Sequence, residues 1–192
     1  MDGSKTIQDR IFLLNICYKI IFNSNWSKKR FLESLDNKYV NSEKLLVCFQ
    51  SAKLGDLKSI KKKKRWITFV GKLNRAKGYD IFAKAIISIL NKKKNWKAKI
   101  VGDEKREKIY IKHNNVDLLG FQKHSEVLKL YKESSIAVVC SRWEEPFGRT
   151  SLEAAANGCA VIISNRGGLP ETVTNAIILK KLNFKELKKN II

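Results

Sequence analysis

Residues 141–171 read SRWEEPFGRTSLEAAANGCAVIISNRGGLPE, and the order of the parts in this stretch decides the fold. Glu145 and Glu153 flank a Pro-Phe-Gly turn where an apolar strand gives way to a helix. The apolar run AVIIS (160–164), a Gly-Gly loop and Leu169-Pro170-Glu171 follow at once. With Pro146 and Gly148 fixing the turn, the backbone N–H groups of 148–151 face outward, which suits an anion at a helix N-terminus with carboxylates beside it. Taken locally, Thr150-x-x-Glu153 also reads as a capping box with Glu153 at N3. Glu145 has no such local role; its bland reading is an exposed acid beside Glu144. Arg149 serves equally as a phosphate ligand or a surface charge, and Trp143 as a crevice wall or a packing residue. Pro170 falls at a first helical position, and Glu171 favours the same helix start.

Outward from this stretch, strand-like and helix-like runs alternate. Strands are expected at Tyr18–Asn23, Leu45–Phe49, Trp66–Val70, Lys97–Val101, Val116–Leu119, Ile136–Cys140, Ala160–Ser164 and Ile177–Leu179. Helices are expected at Trp26–Leu35, Tyr79–Leu90, Glu104–His113, Ser125–Glu133, Thr150–Asn157 and Phe184–Asn190, with a helical turn at Pro170–Thr174. Such alternation implies βαβ units, and continuously apolar strands such as AVIIS imply a sheet covered on both faces. The fold class is therefore α/β, a doubly wound parallel sheet from about Arg65 onward. Ligands of such sheets sit beyond the carboxyl ends of the strands. Gly71, Gly102, Gly120, Arg142–Phe147 and Gly167-Gly168 all follow strands. The segment GKLNRAKGYD (71–80) leaves the strand WITFV at Gly71 and brings Lys72, Arg75 and Lys77 to the positive end of the next helix. Chemically that is a pyrophosphate site; locally it is also a basic surface loop. Its spacing matches neither a P-loop nor the Gly-x-Gly-x-x-Gly fingerprint.

The 192 residues suffice for one full domain and part of another. A net charge of +21 points to an anionic partner, or to lysine on solvated faces, since the lysines are spread along the chain. The one dense run, Lys61–Arg65, reads as a solvated linker that also suits a membrane surface. Cysteines 17, 48, 140 and 159 all lie in apolar stretches and read as buried thiols of a reducing compartment. His113 and His124 lack metal-spaced partners, and His124 reads as a surface or capping residue at a helix start. The apolar stretch Ile11–Phe22 is too short to span a membrane and lacks a cleavage pattern. The expectation is a cytoplasmic protein, peripheral at the inner face of the membrane.

Glu145, seven residues, then Glu153, followed by GCAVI and GGLPE, resembles the nucleotide-sugar-binding half of a GT-B retaining glycosyltransferase, most closely glycosyltransferase family 4, also called group 1. VGKLNRAKGYD, IVGDE and LLGFQKHSEVLKLYKESSIAVVCSRWEEPFG resemble further ordered segments of that family, so that the likeness covers about residues 65–180. It implies a Rossmann-like GT-B C-terminal domain at 61–192, truncated at its C-terminus, behind a 1–60 remnant of the N-terminal acceptor domain and linker. It implies Glu145 and Lys77 as the catalytic pair, with Lys77 on the donor pyrophosphate and Glu145 on the donor sugar. Lys72 stands where the family has Arg, keeping the charge but losing the bidentate fork, with Arg75 to compensate. Gly71 opens this loop, Gly120 and Phe121 lie near the base, and Phe147, Gly148, Arg149 and Thr150 approach the sugar and diphosphate. Glu153 takes the ribose hydroxyls while still capping its helix. No metal and no cofactor are implied.

The implied reaction moves a sugar from a nucleoside diphosphate to an acceptor hydroxyl with retention, in surface polysaccharide or glycolipid synthesis. The implied partners are a nucleotide-sugar donor, a glycan or glycolipid acceptor and a separate N-terminal domain, and the basic charge adds an anionic membrane surface. Nucleic acid is not expected, because paired acids in a crevice repel phosphodiester backbones. The alternative is a non-catalytic nucleotide-sugar-binding fragment or subunit that needs a missing acceptor domain. A related-fold enzyme such as a sugar-nucleotide epimerase shares half of such a site.

Overall fold

The computed structural model describes residues 6–40, 42–54 and 63–191. The chain divides into two compact units, Met1–Gln50 and Ser51–Ile192. In the first, helix α1 (Ile7–Ile16), strand β1 (Ile20–Phe22), helix α2 (Asn25–Leu32), a 3₁₀ turn (Asn37–Tyr39) and strand β2 (Leu45–Val47) follow in order. β1 and β2 pair in parallel. Leu14, Phe22, Phe31 and Leu45 form a small core, with the Phe22 and Phe31 rings 5.2 Å apart. Helix α1 is absent from the sequence expectation. It buries only Leu14 and leaves Phe12 and Ile16 exposed, so its apolar residues lack a helical period. A capping box starts it: the Asp9 N–H donates to Thr6 Oγ1 at 3.0 Å, and the Thr6 N–H to Asp9 Oδ2 at 3.1 Å.

In the second unit, short runs rich in β-branched residues form the strands, and amphipathic runs between them form the helices. The order is β3 (Lys64–Val70), α3 (Tyr79–Lys92), β4 (Lys97–Val101), β5 (Val116–Leu118), α4 (His124–Glu133), β6 (Ser134–Val139), α5 (Arg149–Ala156), β7 (Ala160–Ser164), a 3₁₀ turn (Leu169–Glu171), β8 (Ile177–Leu179) and α6 (Phe184–Ile191). The sheet is parallel throughout, in the order β5-β4-β3-β6-β7-β8. This is the doubly wound arrangement, and its strand order reverses between β3 and β6. On one face α3 buries Ile81, Phe82, Ala85, Ile86, Ile89 and Leu90, and Leu187 of α6 joins the same core. On the other face Val127 and Tyr131 of α4 and Ala154 of α5 pack with Val101, Ala137, Val161 and Ile163.

The strand ends facing the crevice approach so closely that a side chain does not fit. The Gly102 N–H donates to the Gly120 carbonyl at 2.8 Å and the Gly71 N–H to the Val101 carbonyl at 3.0 Å. A Cβ on Gly102, whose φ is +128°, would lie 1.9 Å from the Gly71 carbonyl oxygen.

Several expectations are corrected here. Residues 104–113 form no helix. Ile109 and Ile111 pack on the α3 core from extended chain with Tyr110 exposed between them, a period of two. The Glu104 and Glu107 carboxylates turn to the neighbouring loop, accepting from the Asn74 amide and the Arg75 N–H at 3.0 Å each. The Lys61–Arg65 run is not simply a linker, because Lys64 and Arg65 belong to β3. The Lys63 ammonium donates to the carbonyls of Tyr131 (2.9 Å) and Asn157 (2.6 Å), at the carboxyl ends of α4 and α5. Burial pushes the Lys63 pKa down, against the opposing pull of Cys159. Lys61, Lys62 and the expected boundary at 60/61 lie outside the described residues. Cys140 and Cys159 are buried, which pushes their thiols up to about 12 and about 11, but Cys48 is exposed just past β2 and Cys17 is half-buried. Among the described residues no helix is long and apolar enough to cross a membrane.

Candidate functional site

Three segments meet at the carboxyl ends of β3, β6 and β7. The first is the 71–78 loop between β3 and α3. It is tied to the segment after β6 by backbone bonds, since the N–H groups of Arg142 and Trp143 both donate to the Ala76 carbonyl, at 2.8 and 3.0 Å. The Arg142 guanidinium closes the same joint. It donates to the Arg75 carbonyl at 2.6 Å and grips both oxygens of Asp80, in the first turn of α3, at 2.6 and 2.8 Å. Burial pushes the Asp80 carboxyl up, but the bonds and charge of Arg142 and the local backbone N–H groups outweigh it and leave its pKa lowered.

The third segment, 165–168 after β7, closes from the other side. The Gly168 N–H donates to the Glu145 carbonyl at 2.7 Å. The Glu144 carboxylate accepts from the Gly167 N–H at 2.5 Å and from Arg166 at 3.1 Å. Gly167 has a φ of +58°, and a Cβ there would lie 2.1 Å from the Glu145 carbonyl oxygen. The Gly-Gly loop thus serves to let two backbones pass, and it fixes where Glu145 points.

Glu145 points at Lys77. Its Oε1 accepts from the Lys77 ammonium at 2.5 Å, with the two side chains 14% and 33% exposed. The fold therefore gives Glu145 the partner that the local sequence did not. Arg75 is engaged elsewhere: Glu107 takes its Nε at 3.1 Å, while the side chain stays largely exposed.

A second cluster forms where the N-termini of α4 and α5 converge. Glu153, in the second turn of α5, is buried, and its Oε1 accepts from both Arg149 Nε (2.8 Å) and His124 Nε2 (2.9 Å). This corrects the capping-box expectation. Helix α5 begins at Arg149 behind Gly148, so Glu153 lies beyond N3 and has no side-chain cap bond. The first turn is held instead by the Ser151 hydroxyl, which donates to the Gly148 carbonyl at 2.6 Å and lies 2.8 Å from the Thr172 hydroxyl. His124 does lie at the surface and at the helix start, as expected, with its side chain 57% exposed, but its imidazole also reaches Glu153. His124 is the site residue that the sequence reading passed over. Its only signal was its place at a helix start on the crevice side of the sheet. Phe147 is buried, whereas Phe121 and Trp143 are exposed, Phe121 directly after Gly120 at the end of β5. No group of three or more metal-binding side chains occurs among the described residues.

Fold and geometry together define a doubly wound α/β domain with paired acids and bases at its topological switch point. Residues 55–192 match the family model for glycosyl transferases group 1, and the chain belongs to that family. It is 31% identical over 123 residues to spore coat protein SA of Bacillus subtilis, a match covering 57% of this chain and 33% of that protein. It is 27% identical over 121 residues to the lipopolysaccharide core biosynthesis mannosyltransferase LpsB of Rhizobium meliloti, covering 58% of this chain and 34% of that one. The fold is similar to Anabaena Alr3699/HepE, solved in complex with UDP, with a TM-score of 0.78 and 21% identity over 95% of this chain and 55% of the other. The matches thus span about a third of the length of those two curated relatives and about half of the solved chain.

Proposed function

We propose that this chain is the donor-binding half of a retaining glycosyltransferase that takes a nucleoside-diphosphate sugar. The observation that carries the reading is the Lys77–Glu145 pair at the switch point, a base and an acid held in contact by elements 68 residues apart. An entering diphosphate competes with Glu145 for the Lys77 ammonium, and Lys72 adds a second charge on the same loop. Glu145 is thereby released toward the hydroxyls of the donor sugar. Glu153, steadied by Arg149 and His124, is the acceptor for the ribose hydroxyls. UDP in the structurally similar Anabaena protein supports a nucleotide as ligand.

In the proposed reaction the bond between the anomeric carbon and the phosphate oxygen breaks on the face where the acceptor hydroxyl arrives. The leaving diphosphate takes the acceptor's proton, and a new glycosidic bond forms with retention. Lys77, Lys72 and the α5 N-terminus meet the developing charge on the leaving group, with no metal required. The acceptor is a surface polysaccharide or glycolipid, in line with the lipopolysaccharide-core relative. A second reading is donor binding without turnover, since the match to the curated relatives covers only about a third of each.

Calorimetric titration with UDP and GDP, followed by sugar-nucleotide turnover, tests the site and separates the readings. Lys77→Ala and Glu153→Ala should each weaken nucleotide binding at least about tenfold, ~1.4 kcal/mol. Undiminished affinity in both variants rejects the site, and binding without turnover selects the second reading.

A further inference from the structure

The net charge of +21 is not evenly distributed. Residues 101–175, which include most of the crevice, carry ten cations and ten acids. Residues 81–100 carry six lysines and no acid, and residues 176–192 carry five lysines and one acid, Glu186. These two segments hold α3 and α6, which pack on each other over one face of the sheet, with Lys188 Nζ donating to Ser88 Oγ at 2.7 Å across the pair. On the two helices and their flanking turns nine lysines stand against two acids, Asp80 and Glu186, about a third of the chain's excess charge. Residues 1–80 hold the remaining excess, eighteen cations against seven acids, so within the unit Ser51–Ile192 the contrast is between this layer and the balanced segment.

Lys84, Lys92, Lys93, Lys94, Lys180, Lys181, Lys185 and Lys189 are exposed on this layer and its flanking turns. Helix α3 starts at the crevice, and its two lysines, Lys84 and Lys92, lie in its second and last turns, beyond that end. The helix dipole accounts for Lys92 and not for the rest. Beside Lys180, Lys181 and Lys185 stand two exposed apolar side chains: Ile177 of the edge strand β8, on the same face of the sheet as Leu179, and Phe184 at the start of α6. Lysines next to exposed apolar groups match an anionic bilayer, where the charges meet headgroups and the apolar side chains enter the interface. A nucleic-acid backbone rewards the lysines but not Ile177 and Phe184.

We propose that the α3–α6 layer docks this protein onto a membrane containing anionic phospholipid. The proposal does not depend on the reaction assigned to the crevice, whose residues it leaves untouched.

The test is co-sedimentation of the full chain with vesicles of phosphatidylcholine alone or with phosphatidylglycerol. The expected result is binding only to the anionic vesicles. Each lysine near such a surface contributes about fivefold to the affinity. Lys84→Glu/Lys185→Glu/Lys189→Glu should therefore bind at least about tenfold more weakly. The charge-matched Lys64→Glu/Lys129→Glu/Lys132→Glu, on and beside α4 over the opposite face of the sheet, should stay within about twofold. Ile177→Ser should weaken vesicle binding while binding of a single-stranded oligonucleotide is unchanged. Equal losses in the two triple variants, binding indifferent to phosphatidylglycerol, or an oligonucleotide that outcompetes the vesicles would each overturn the proposal. Circular dichroism and UDP titration of the same variants show whether a loss comes from unfolding.

Discussion

At the residue scale the site consists of acids whose partners come from other elements. Glu153 is the clearest case, since one of its oxygens accepts from both His124 and Arg149. His124 touches no ligand in the proposed function and acts through Glu153, so it is a positioning residue. Its hydrogen bond is worth about 0.5–1.5 kcal/mol. His124→Ala should weaken UDP binding by about three- to tenfold in the wild-type background and have almost no effect in Glu153→Ala. A double-mutant cycle measured by calorimetry checks this, and additive losses would show that His124 acts independently of Glu153. Lys77 and Glu145 show the same dependence on distant partners. Each was a candidate from its own motif, but their contact could not be read from either motif alone.

At the element scale the joint between α3 and the segment after β6 holds the basic loop against the acids. Its strongest member is the two-pronged Arg142–Asp80 pair. Asp80 has a lowered folded-state pKa, to which Arg142 contributes after burial is overcome. An acid lowered on folding adds stability that is fully present above its unfolded value of about 3.9 and is lost as pH falls through the folded value. Arg142→Leu should therefore destabilise the protein near neutral pH by about 1–3 kcal/mol. The deficit against wild type should shrink as pH drops below about 4. Urea melts at pH 7 and pH 3 measure both, and a deficit independent of pH would assign the loss to packing instead. The same joint explains why residues 104–113 are not helical. A sequence rich in Glu, Lys and Arg reads as helix, but Glu104 and Glu107 are drawn to the 71–78 loop and Ile109 and Ile111 to the core. Both attractions are long-range, and local propensity gives way to them.

At the scale of the whole molecule, each described site residue lies between Gly71 and Thr172, within the unit Ser51–Ile192 and its own core. A chain beginning at Ser51 should unfold in one cooperative transition and bind UDP within about threefold of the full chain. Thermal melts and calorimetry check it, and a shortened chain that folds but no longer binds would place part of the donor site before Ser51. The alternation of β-branched and amphipathic runs determined the doubly wound sheet, because strand and helix periods are written locally. The strands Lys97–Val101 and Ala160–Ser164 fall where that alternation puts them. The ordered motifs around Lys77, Glu145 and Glu153 likewise determined the family and the crevice wall. The tertiary structure alone decided which charges meet. The strand order sets β3 beside β6, so that Lys77 reaches Glu145, and the packing of α4 beside α5 carries His124 to Glu153. It also gathered two lysine-rich segments, far apart in the chain, onto one surface by packing α3 on α6. Such pairings depend on how the sheet is wound, and no local stretch of sequence encodes that.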